Sequence, residues 1–336
     1  MKINYKVSRL ANQFFFISTL AAWHYSCRKD IREKWISQTG TLTPEEEKAL
    51  ASFSYLMRAK YGFQSPKTYL GEVFYKQSEK TVWLALKKFV KKQEDYAPIK
   101  DIFSLFENRF EKAWKKASFA SLKVLEDEIG KENVVKFFNT VASLLGDEKI
   151  VTRSVTLVII FSPLGGDQTA AGSANLQEDF ITLELPALKK NTWQLSYSLA
   201  TLGHELGHMC FSKRGGTAML RDAMKKAHLK ERYDQLPFST QTVLNEAITA
   251  AFLPLGALGQ LYFSTDLSPL FFSKMPKIIA AEQPQKKKTV IPFYGNLEFW
   301  FIWKLFPLSM EYVRNKKQID KEFIAETALL LKKFVK

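Results

Sequence analysis

Residues 199–210 read LATLGHELGHMC and hold two of the four histidines of this chain, His204 and His208. Apolar residues recur in and before this stretch at the spacing of one helix face: Leu195, Leu199, Leu202, Leu206 and Met209. The pattern therefore predicts a helix. Because His204 and His208 are four positions apart, both imidazoles project from the same side of that helix, about one turn apart. Two ligands of one tetrahedral zinc ion require this separation.

Glu205 lies between the two histidines, one step round the helix from the first. It is poorly placed to bind the same metal, but it can reach a water in an open coordination position, which is the place of a general base. Gly203 and Gly207 each precede a histidine. Because a glycine costs a helix about 1 kcal/mol relative to alanine, the two predict that another segment approaches the helix closely.

The same residues allow a simpler interpretation, in which His204 and His208 are two core histidines that are neighbours by chance. With four histidines in the chain, an accidental His-Glu-x-x-His is expected on the order of a few times in a thousand. The metal site is therefore the favoured hypothesis.

The sequence changes character upstream of this helix. VTLVIIF at residues 155–161 is a β-branched apolar run typical of a buried strand. FITLEL at 180–185 alternates apolar and polar residues, as a half-exposed strand does. A loop of small residues, which includes AGSAN at 171–175, separates the two runs. Most other stretches show helical patterns, so we expect a predominantly helical α+β fold with a small sheet beside the histidine helix.

Before the strand-like segments, the sequence contains one signal for a helix start and one for a helix break. In TLTPEEE, Thr43 can cap a helix, Pro44 fits the first helical position and Glu46 completes a capping box. A later helical stretch is predicted to break at Gly130. These signals place helices on the N-terminal side of the sheet.

The chain is expected to divide into a helical N-terminal region, residues 1–150, and a catalytic region with C-terminal helices, residues 151–336. One continuous domain is the alternative, since 336 residues fit either organisation. AEQPQKKKTVIPFYGN at 281–296 has the composition of a linker.

HELGH in an apolar helix resembles the zinc-binding helix of the zincin metallopeptidases. The resemblance covers roughly residues 151–260. It implies that FITLEL is the edge strand, which in those enzymes holds an extended peptide over the metal, so that substrate peptides add to this strand. A proline at Thr182 or Leu183 is then expected to damage turnover while sparing zinc. The walls nearest the metal would be the loop at 171–175 and the helix that supplies a third ligand.

The third ligand decides the subgroup of zincins. A histidine six positions beyond the second ligand is excluded, because MCFSKR follows His208. A glutamate on a second helix remains, and QTVLNEAITAAFLP supplies Glu246 among apolar residues, where an acid needs a partner. NEAITA resembles the NExxA portion of the gluzincins. Many of those have an aspartate where this chain has Ala250, so a different partner for the histidines must be sought.

Two alternatives to this ligand set remain. His228, in the strongly basic stretch AMKKAHLKERY, is the competing third ligand. Glu246 itself can instead be a surface glutamate near a helix start. With His204, His208 and Glu246 as ligands, the resemblance implies one Zn²⁺ whose fourth position is open to water, as catalytic sites have.

The expected activity is hydrolysis of a peptide bond. The metal lowers the pKa of its water towards about 7 and polarises the scissile carbonyl, and Glu205 takes the proton of the water. Tyr262 and Tyr294 are candidate donors to the oxyanion by residue type alone, and a packing role is the alternative for each.

The chain is basic, with 49 lysines and arginines against 34 acids and a formal net charge of +15. The basic residues recur in pairs along amphipathic stretches, which is typical of solvated helix faces. No RNP, zinc-knuckle or basic-region pattern of nucleic-acid-binding proteins is found in the sequence. The alternative function is a non-catalytic binding protein on a zincin scaffold, whose basic surface engages an anionic partner. The oligomeric state is left open.

The N-terminus allows two interpretations. MKINYKVSR followed by LANQFFFISTLAAW has the basic start and apolar centre of a secretory signal, but Asn12 and Gln13 interrupt the apolar run. A first amphipathic helix from about Val7 towards Trp35 explains the same residues. We therefore expect a cytoplasmic protein, or a secreted or periplasmic one if residues 1–22 act as a signal peptide. No stretch of about twenty uninterrupted apolar residues predicts a transmembrane helix.

Overall fold

A computed structural model describes residues 2–24, 27–62, 69–90, 92–146, 149, 154–163, 171–175, 180–236, 238–265 and 297–335. The predicted linker at 281–296, with Tyr294, lies outside the described residues. The described strands are β1 (Lys2–Val7), β2 (Ser154–Phe161), β3 (Gly172–Asn175) and β4 (Phe180–Leu185).

Helices make up most of the described chain. Between β1 and β2 the α-helices are α1 (Arg9–Ala21), α2 (Lys29–Thr39), α3 (Pro44–Leu56), α4 (Leu70–Lys76), α5 (Val82–Phe89), α6 (Tyr96–Leu105), α7 (Glu107–Trp114), α8 (Phe119–Ile129) and α9 (Glu132–Leu145). After β4 they are α10 (Trp193–Lys213), α11 (Gly216–Lys226), α12 (Thr240–Ala250), α13 (Ala257–Phe263), α14 (Glu298–Arg314) and α15 (Lys321–Val335). The expected class, predominantly helical α+β with one small sheet, is confirmed.

The sheet is mixed and has the strand order β1-β2-β4-β3. β1, β2 and β4 run parallel, and β3 runs antiparallel to β4. β4 is therefore an interior strand, and the prediction that FITLEL forms the edge is wrong. The edge on the side of the histidine helix is β3, the segment that the sequence indicated as a loop.

The alternation in β4 was misleading because both faces of the sheet are covered. Ile181, Leu183 and Leu185 face a core formed with the helices from α8 onward. On the opposite face, Val158 of β2 and Phe180 of β4 pack in a second core with α1–α7. Thr182 lies on this second face and is only 8% exposed. A polar residue in an alternating strand indicates solvent only when no second layer covers it.

The N-terminal residues form a strand and a short helix, so the prediction of one helix from Val7 towards Trp35 is wrong. β1 pairs with β2 along its whole length, from Lys2 opposite Ser154 to Val7 opposite Ile159. α1 then ends at Ala21, the next residue Ala22 has a left-handed φ of 46°, and α2 starts at Lys29. The partner of β1 lies about 150 residues away in sequence, and a local pattern cannot reveal such a pairing.

The local helix signals are confirmed. α3 starts at the capping box, in which Thr43 accepts from the Glu46 backbone and Glu46 accepts from the Thr43 backbone. α8 ends at Ile129 and α9 begins at Glu132, so the break at Gly130 is present. Each signal depends on residues within one turn of each other, which is why the sequence alone reveals it.

α10 is the helix that carries HELGH, and it packs against α9, α12 and the edge strand β3. The side chain of Thr192 caps its first turn by accepting a hydrogen bond from the Leu195 backbone. This packing buries the histidine segment between two helices and the sheet edge. None of the described helices combines the length and the apolar character that crossing a bilayer requires.

Candidate metal centre

His204 and His208 meet on one face of α10. Their Nε2 atoms are 2.9 Å apart and their rings are nearly perpendicular, at 86°. Both residues are buried. The spacing of four residues thus brings two imidazole nitrogens to one point, as the sequence predicts.

Glu246, on α12, approaches the same two nitrogen atoms from the opposite side. Its Oε2 atom is 3.5 Å from Nε2 of His204 and 3.4 Å from Nε2 of His208. The ligand atoms of the three residues all lie within 4.8 Å of one another, and among the described residues they form the one such group of three that could hold a metal ion. Two neighbouring helices therefore supply all three side chains.

The triangle of ligand atoms has the size that a small tetrahedral ion needs. Atoms bound at about 2.1 Å around such an ion stand about 3.4 Å from one another. The two carboxylate-to-imidazole distances of 3.4 and 3.5 Å match this spacing. The third distance, 2.9 Å between the Nε2 atoms of His204 and His208, corresponds to an angle of about 90° between these two ligands at the ion. The residues present thus fit a metal of the size of zinc.

The second nitrogen of each ring is hydrogen bonded, and this decides which nitrogen is free. Nδ1 of His204 lies 3.0 Å from the main-chain carbonyl oxygen of Leu253. Because a carbonyl only accepts, Nδ1 carries the hydrogen, and Nε2 of a neutral ring presents a lone pair. Nδ1 of His208 lies 3.1 Å from the Asn245 side-chain amide and 3.2 Å from the Thr249 hydroxyl. These partners of His208 come from α12, one residue before Glu246 and three after it.

The electrostatics favour positive charge at the centre. Burial by itself lowers the pKa of His204, but Glu246, Glu205 and the Leu253 carbonyl raise that pKa to about 9. Burial by itself raises the pKa of Glu246, yet the two histidines hold it below its usual value. A proton or a metal ion satisfies this demand, and a divalent ion satisfies three converging acceptors at once.

Glu205 faces the edge strand β3 and interacts electrostatically with all three ligand residues. Its side chain is buried, and burial raises its pKa, while a hydrogen bond from the Ala174 backbone on β3 acts in the opposite direction. Gly172 of the same strand has no room for a side chain, since a Cβ there would lie 2.7 Å from Cγ of Glu205. β3 can therefore run directly against Glu205, a contact that sequence reasoning missed because it treated AGSAN as a loop.

The close approaches predicted at the two glycines of α10 are present. A Cβ on Gly203 would lie 2.4 Å from the ring of Phe137 on α9. A Cβ on Gly207 would lie 2.6 Å from Leu145 of α9 and 3.2 Å from Cγ2 of Thr249 on α12. Bare backbone at these positions lets α9 and α12 pack closely against α10.

The remaining residues that the sequence suggested for the site are His228, Tyr262 and Tyr294. His228 is exposed and follows the end of α11 with a left-handed φ of 54°. It is not part of the ligand group. The hydroxyl of Tyr262 is hydrogen bonded to Thr140 on α9, at 3.0 Å. Tyr294 lies outside the described residues.

Comparisons with protein-family models, with curated proteins and with solved structures found no match for this chain. The function is therefore argued from the residues of the centre.

Proposed function

We propose that this chain is a zinc-dependent peptidase whose single Zn²⁺ is held by His204, His208 and Glu246. The observation that carries the proposal is Glu205, a buried carboxylate that interacts electrostatically with all three residues of the converging ligand group. A purely structural metal site has no use for an additional acid at this place. Two imidazoles and one carboxylate are a ligand set of catalytic zinc, whereas Mg²⁺ and Ca²⁺ prefer oxygen ligands.

Zinc bound here would polarise the scissile carbonyl and lower the pKa of a water molecule towards about 7. The protein residues supply the proton transfers. Glu205 accepts the proton of the attacking water at a carboxylate oxygen and delivers it to the leaving amine. Burial raises the pKa of Glu205 and so makes it a stronger base than an exposed glutamate. The Ala174 backbone N–H holds its carboxylate in place.

β3 is the strand that we propose for substrate binding, in place of β4. The Glu184 N–H donates to the Ala171 carbonyl at 2.7 Å, so the backbone groups of alternate residues in this antiparallel pair point away from β4. Gly172 and Ala174 are those residues, and the Ala174 N–H is directed at Glu205. Because the Ala174 N–H is already bonded to Glu205, an extended peptide would add to this edge through the other outward groups, the Gly172 N–H and carbonyl and the Ala174 carbonyl, and pass over the metal ligands.

Metal content tests the ligand set. Purified protein is expected to contain one zinc per chain by inductively coupled plasma mass spectrometry, and His208→Ala and Glu246→Ala variants are expected to lose it. His228→Ala is the matched control and should retain the metal, because His228 is exposed and outside the ligand group. Wild-type protein without stoichiometric zinc would overturn the proposal.

Activity of a Glu205→Gln variant tests the chemistry. The variant keeps all three ligands, so it should retain zinc while its cleavage of a fluorogenic peptide library falls at least about 100-fold. Equal cleavage by variant and parent would exclude Glu205 as the base. Retention on heparin that falls with salt and ignores chelators, in the absence of any cleavage, would instead support the binding of an anionic partner.

A further inference from the structure

The ring of His208 can bind a metal through Nε2 only if its hydrogen is on Nδ1. In a neutral imidazole one nitrogen donates and the other accepts, and the partners of the ring decide which. Nδ1 of His208 has two neighbours, the Asn245 side-chain nitrogen Nδ2 at 3.1 Å and the Thr249 hydroxyl oxygen at 3.2 Å. The direction of these two hydrogen bonds therefore sets the metal-binding capacity of His208.

The Thr249 hydroxyl has its own hydrogen committed elsewhere. It donates to the main-chain carbonyl of Asn245 at 3.1 Å, one turn back along α12. A hydroxyl has one hydrogen and two lone pairs, so the oxygen that faces His208 can only accept. Nδ1 must then donate, and the lone pair of Nε2 is left facing Glu246 and His204.

Packing holds the Thr249 side chain in this orientation. Thr249 is fully buried, and its methyl carbon Cγ2 lies 3.2 Å from the point where a Cβ on Gly207 would stand. A β-branched side chain has few rotamers in a helix, and a methyl seated against the bare backbone of α10 selects one of them. The Asn245 side chain lacks this constraint. Its nitrogen faces Nδ1 and in this orientation would donate to it, but a half turn of the amide puts the oxygen there as an acceptor, so Asn245 can match either ring state.

We propose that Thr249 is a positioning residue that fixes the hydrogen of His208 on Nδ1 and so keeps Nε2 available for the metal. The inference rests on the proposed zinc site and adds to it a residue that acts through a ligand. It also gives Gly207, the glycine of HELGH, a role, since Gly207 provides the space in which the Thr249 methyl lies.

Three variants separate the hydroxyl from the packing. Thr249→Val keeps the branched shape and removes the hydroxyl, and Thr249→Ser keeps the hydroxyl and removes the methyl. Thr201→Val is the matched control, because Thr201 is a buried threonine on α10 whose hydroxyl has no hydrogen-bond partner among the described residues. Zinc affinity is measured by competition with a chromophoric chelator. The tautomer of His208 is read from long-range ¹H–¹⁵N NMR spectra of the metal-free protein.

Thr249→Val is expected to weaken zinc binding about 10- to 100-fold, as loss of an outer hydrogen bond to a ligand histidine does. Thr249→Ser should restore most of the affinity and Thr201→Val should leave it unchanged. In metal-free protein, His208 should carry its hydrogen on Nδ1, and Thr249→Val should lose this preference. Zinc affinity of Thr249→Val equal to that of the parent would overturn the inference. A parent that binds no zinc overturns the proposed function, while the NMR spectra still decide the role of Thr249.

Discussion

The Nδ1 atom of His204 lies 3.0 Å from the main-chain carbonyl oxygen of Leu253, just beyond the end of α12. This contact supplies the histidine partner that the sequence left unassigned. Many gluzincins have an aspartate at the position that corresponds to Ala250 in the NEAITA resemblance. Ala250 is buried, and its methyl side chain offers no hydrogen-bond acceptor. The chain continues past Ala250 into a tight turn, held by a hydrogen bond from the Ala257 N–H to the Ala251 carbonyl, and presents a backbone oxygen instead.

A backbone acceptor has a chemical consequence for the centre. A carboxylate paired with a ligand imidazole raises the basicity of that ligand, and a neutral carbonyl does so less. In the proposed zinc site, the Leu253 carbonyl would therefore hold His204 in the metal-binding tautomer while making it a weaker base than a carboxylate partner would. The acids of the centre are Glu246 and Glu205, both of which raise the pKa of His204.

Lys6 provides a first prediction, about the stability of the N-terminal strand. Its Nζ donates to the carbonyl oxygens of Tyr75, Lys76 and Gln77, at 2.7, 2.8 and 2.7 Å, where α4 ends. Lys6→Met keeps the apolar stem and removes the charge from these carbonyls. The free energy of unfolding in urea is expected to fall by about 2 kcal/mol. Lys2→Met, at the exposed start of the same strand, should change it by less than about 0.5 kcal/mol. Equal effects of the two substitutions would contradict the role of Lys6.

Glu184 provides a prediction about pH. The carboxylate lies on β4 beneath the N-terminal layer, and its buried Oε2 has no hydrogen-bond partner among the described residues. Burial raises the pKa of Glu184 from 4.5 to about 7, and the nearby charge of Asp30 adds to the rise. The Arg28 guanidinium, 4.0 Å away, acts in the opposite direction and lowers this pKa. The native state therefore holds a proton on Glu184 that the unfolded chain releases above about pH 4.5.

The stabilisation that protonation of Glu184 gives to the native state is fully present below about pH 4.5 and is lost as pH rises through about 7. Because each pKa unit corresponds to about 1.4 kcal/mol, Glu184→Gln should gain about 2 kcal/mol in unfolding free energy relative to wild type between pH 5 and pH 8. Urea titrations at both pH values measure the difference. Glu326→Gln, at an exposed position of α15, is the control. A difference between Glu184→Gln and wild type that does not change with pH would show that the carboxyl is ionised throughout.

Local features could be predicted from the sequence. The HELGH helix, the capping box at Thr43 and the break at Gly130 all depend on residues within a turn or two of each other. Glu246 could be predicted because an acid among apolar residues needs a partner. These features require no knowledge of which elements become neighbours.

Features that depend on distant packing could not be predicted. The interior place of β4 follows from the layer that covers Thr182, and this layer is built by residues far away in sequence. The Leu253 oxygen belongs to the main chain, so no residue type marks it. Thr249 could not be identified from the sequence, because its contact with His208 exists only after α10 and α12 have packed.

Gly172 provides a prediction about the fit of the edge strand against the base. A Cβ at this position would lie 2.7 Å from Cγ and 3.0 Å from Oε1 of Glu205, so Gly172→Ala must displace the Glu205 carboxylate. Peptide cleavage is expected to fall about 10- to 100-fold, because a shift of about 1 Å in a catalytic group has this effect. Zinc content should not change, since the ligands are untouched. Gly130→Ala is the control, because the nearest atoms to its Cβ would be 3.8 Å away. Full activity in Gly172→Ala would place the working position of Glu205 elsewhere.

Ala174 and Ser173 provide the last prediction, about which edge of the sheet binds substrate. Ser173 pairs with Thr182 at a position where backbone groups point towards β4, whereas Ala174 pairs with Ile181 and its N–H is directed at Glu205. Proline removes a backbone donor and is compatible with an extended preceding residue. Ser173→Pro should therefore break the ladder and lower the free energy of unfolding by about 1 to 3 kcal/mol.

Ala174→Pro should leave the ladder intact, because the donor that it removes points away from β4 and bonds to Glu205. This variant is expected to keep wild-type circular dichroism and one zinc per chain while peptide cleavage falls at least about 10-fold, since Glu205 loses its backbone donor and the added peptide loses its path. Proline at Thr182 is not an equivalent test, because β4 is paired with β2 and β3 on its two sides. Full activity in Ala174→Pro, together with the loss of stability in Ser173→Pro, would show that peptides reach the metal without adding to β3.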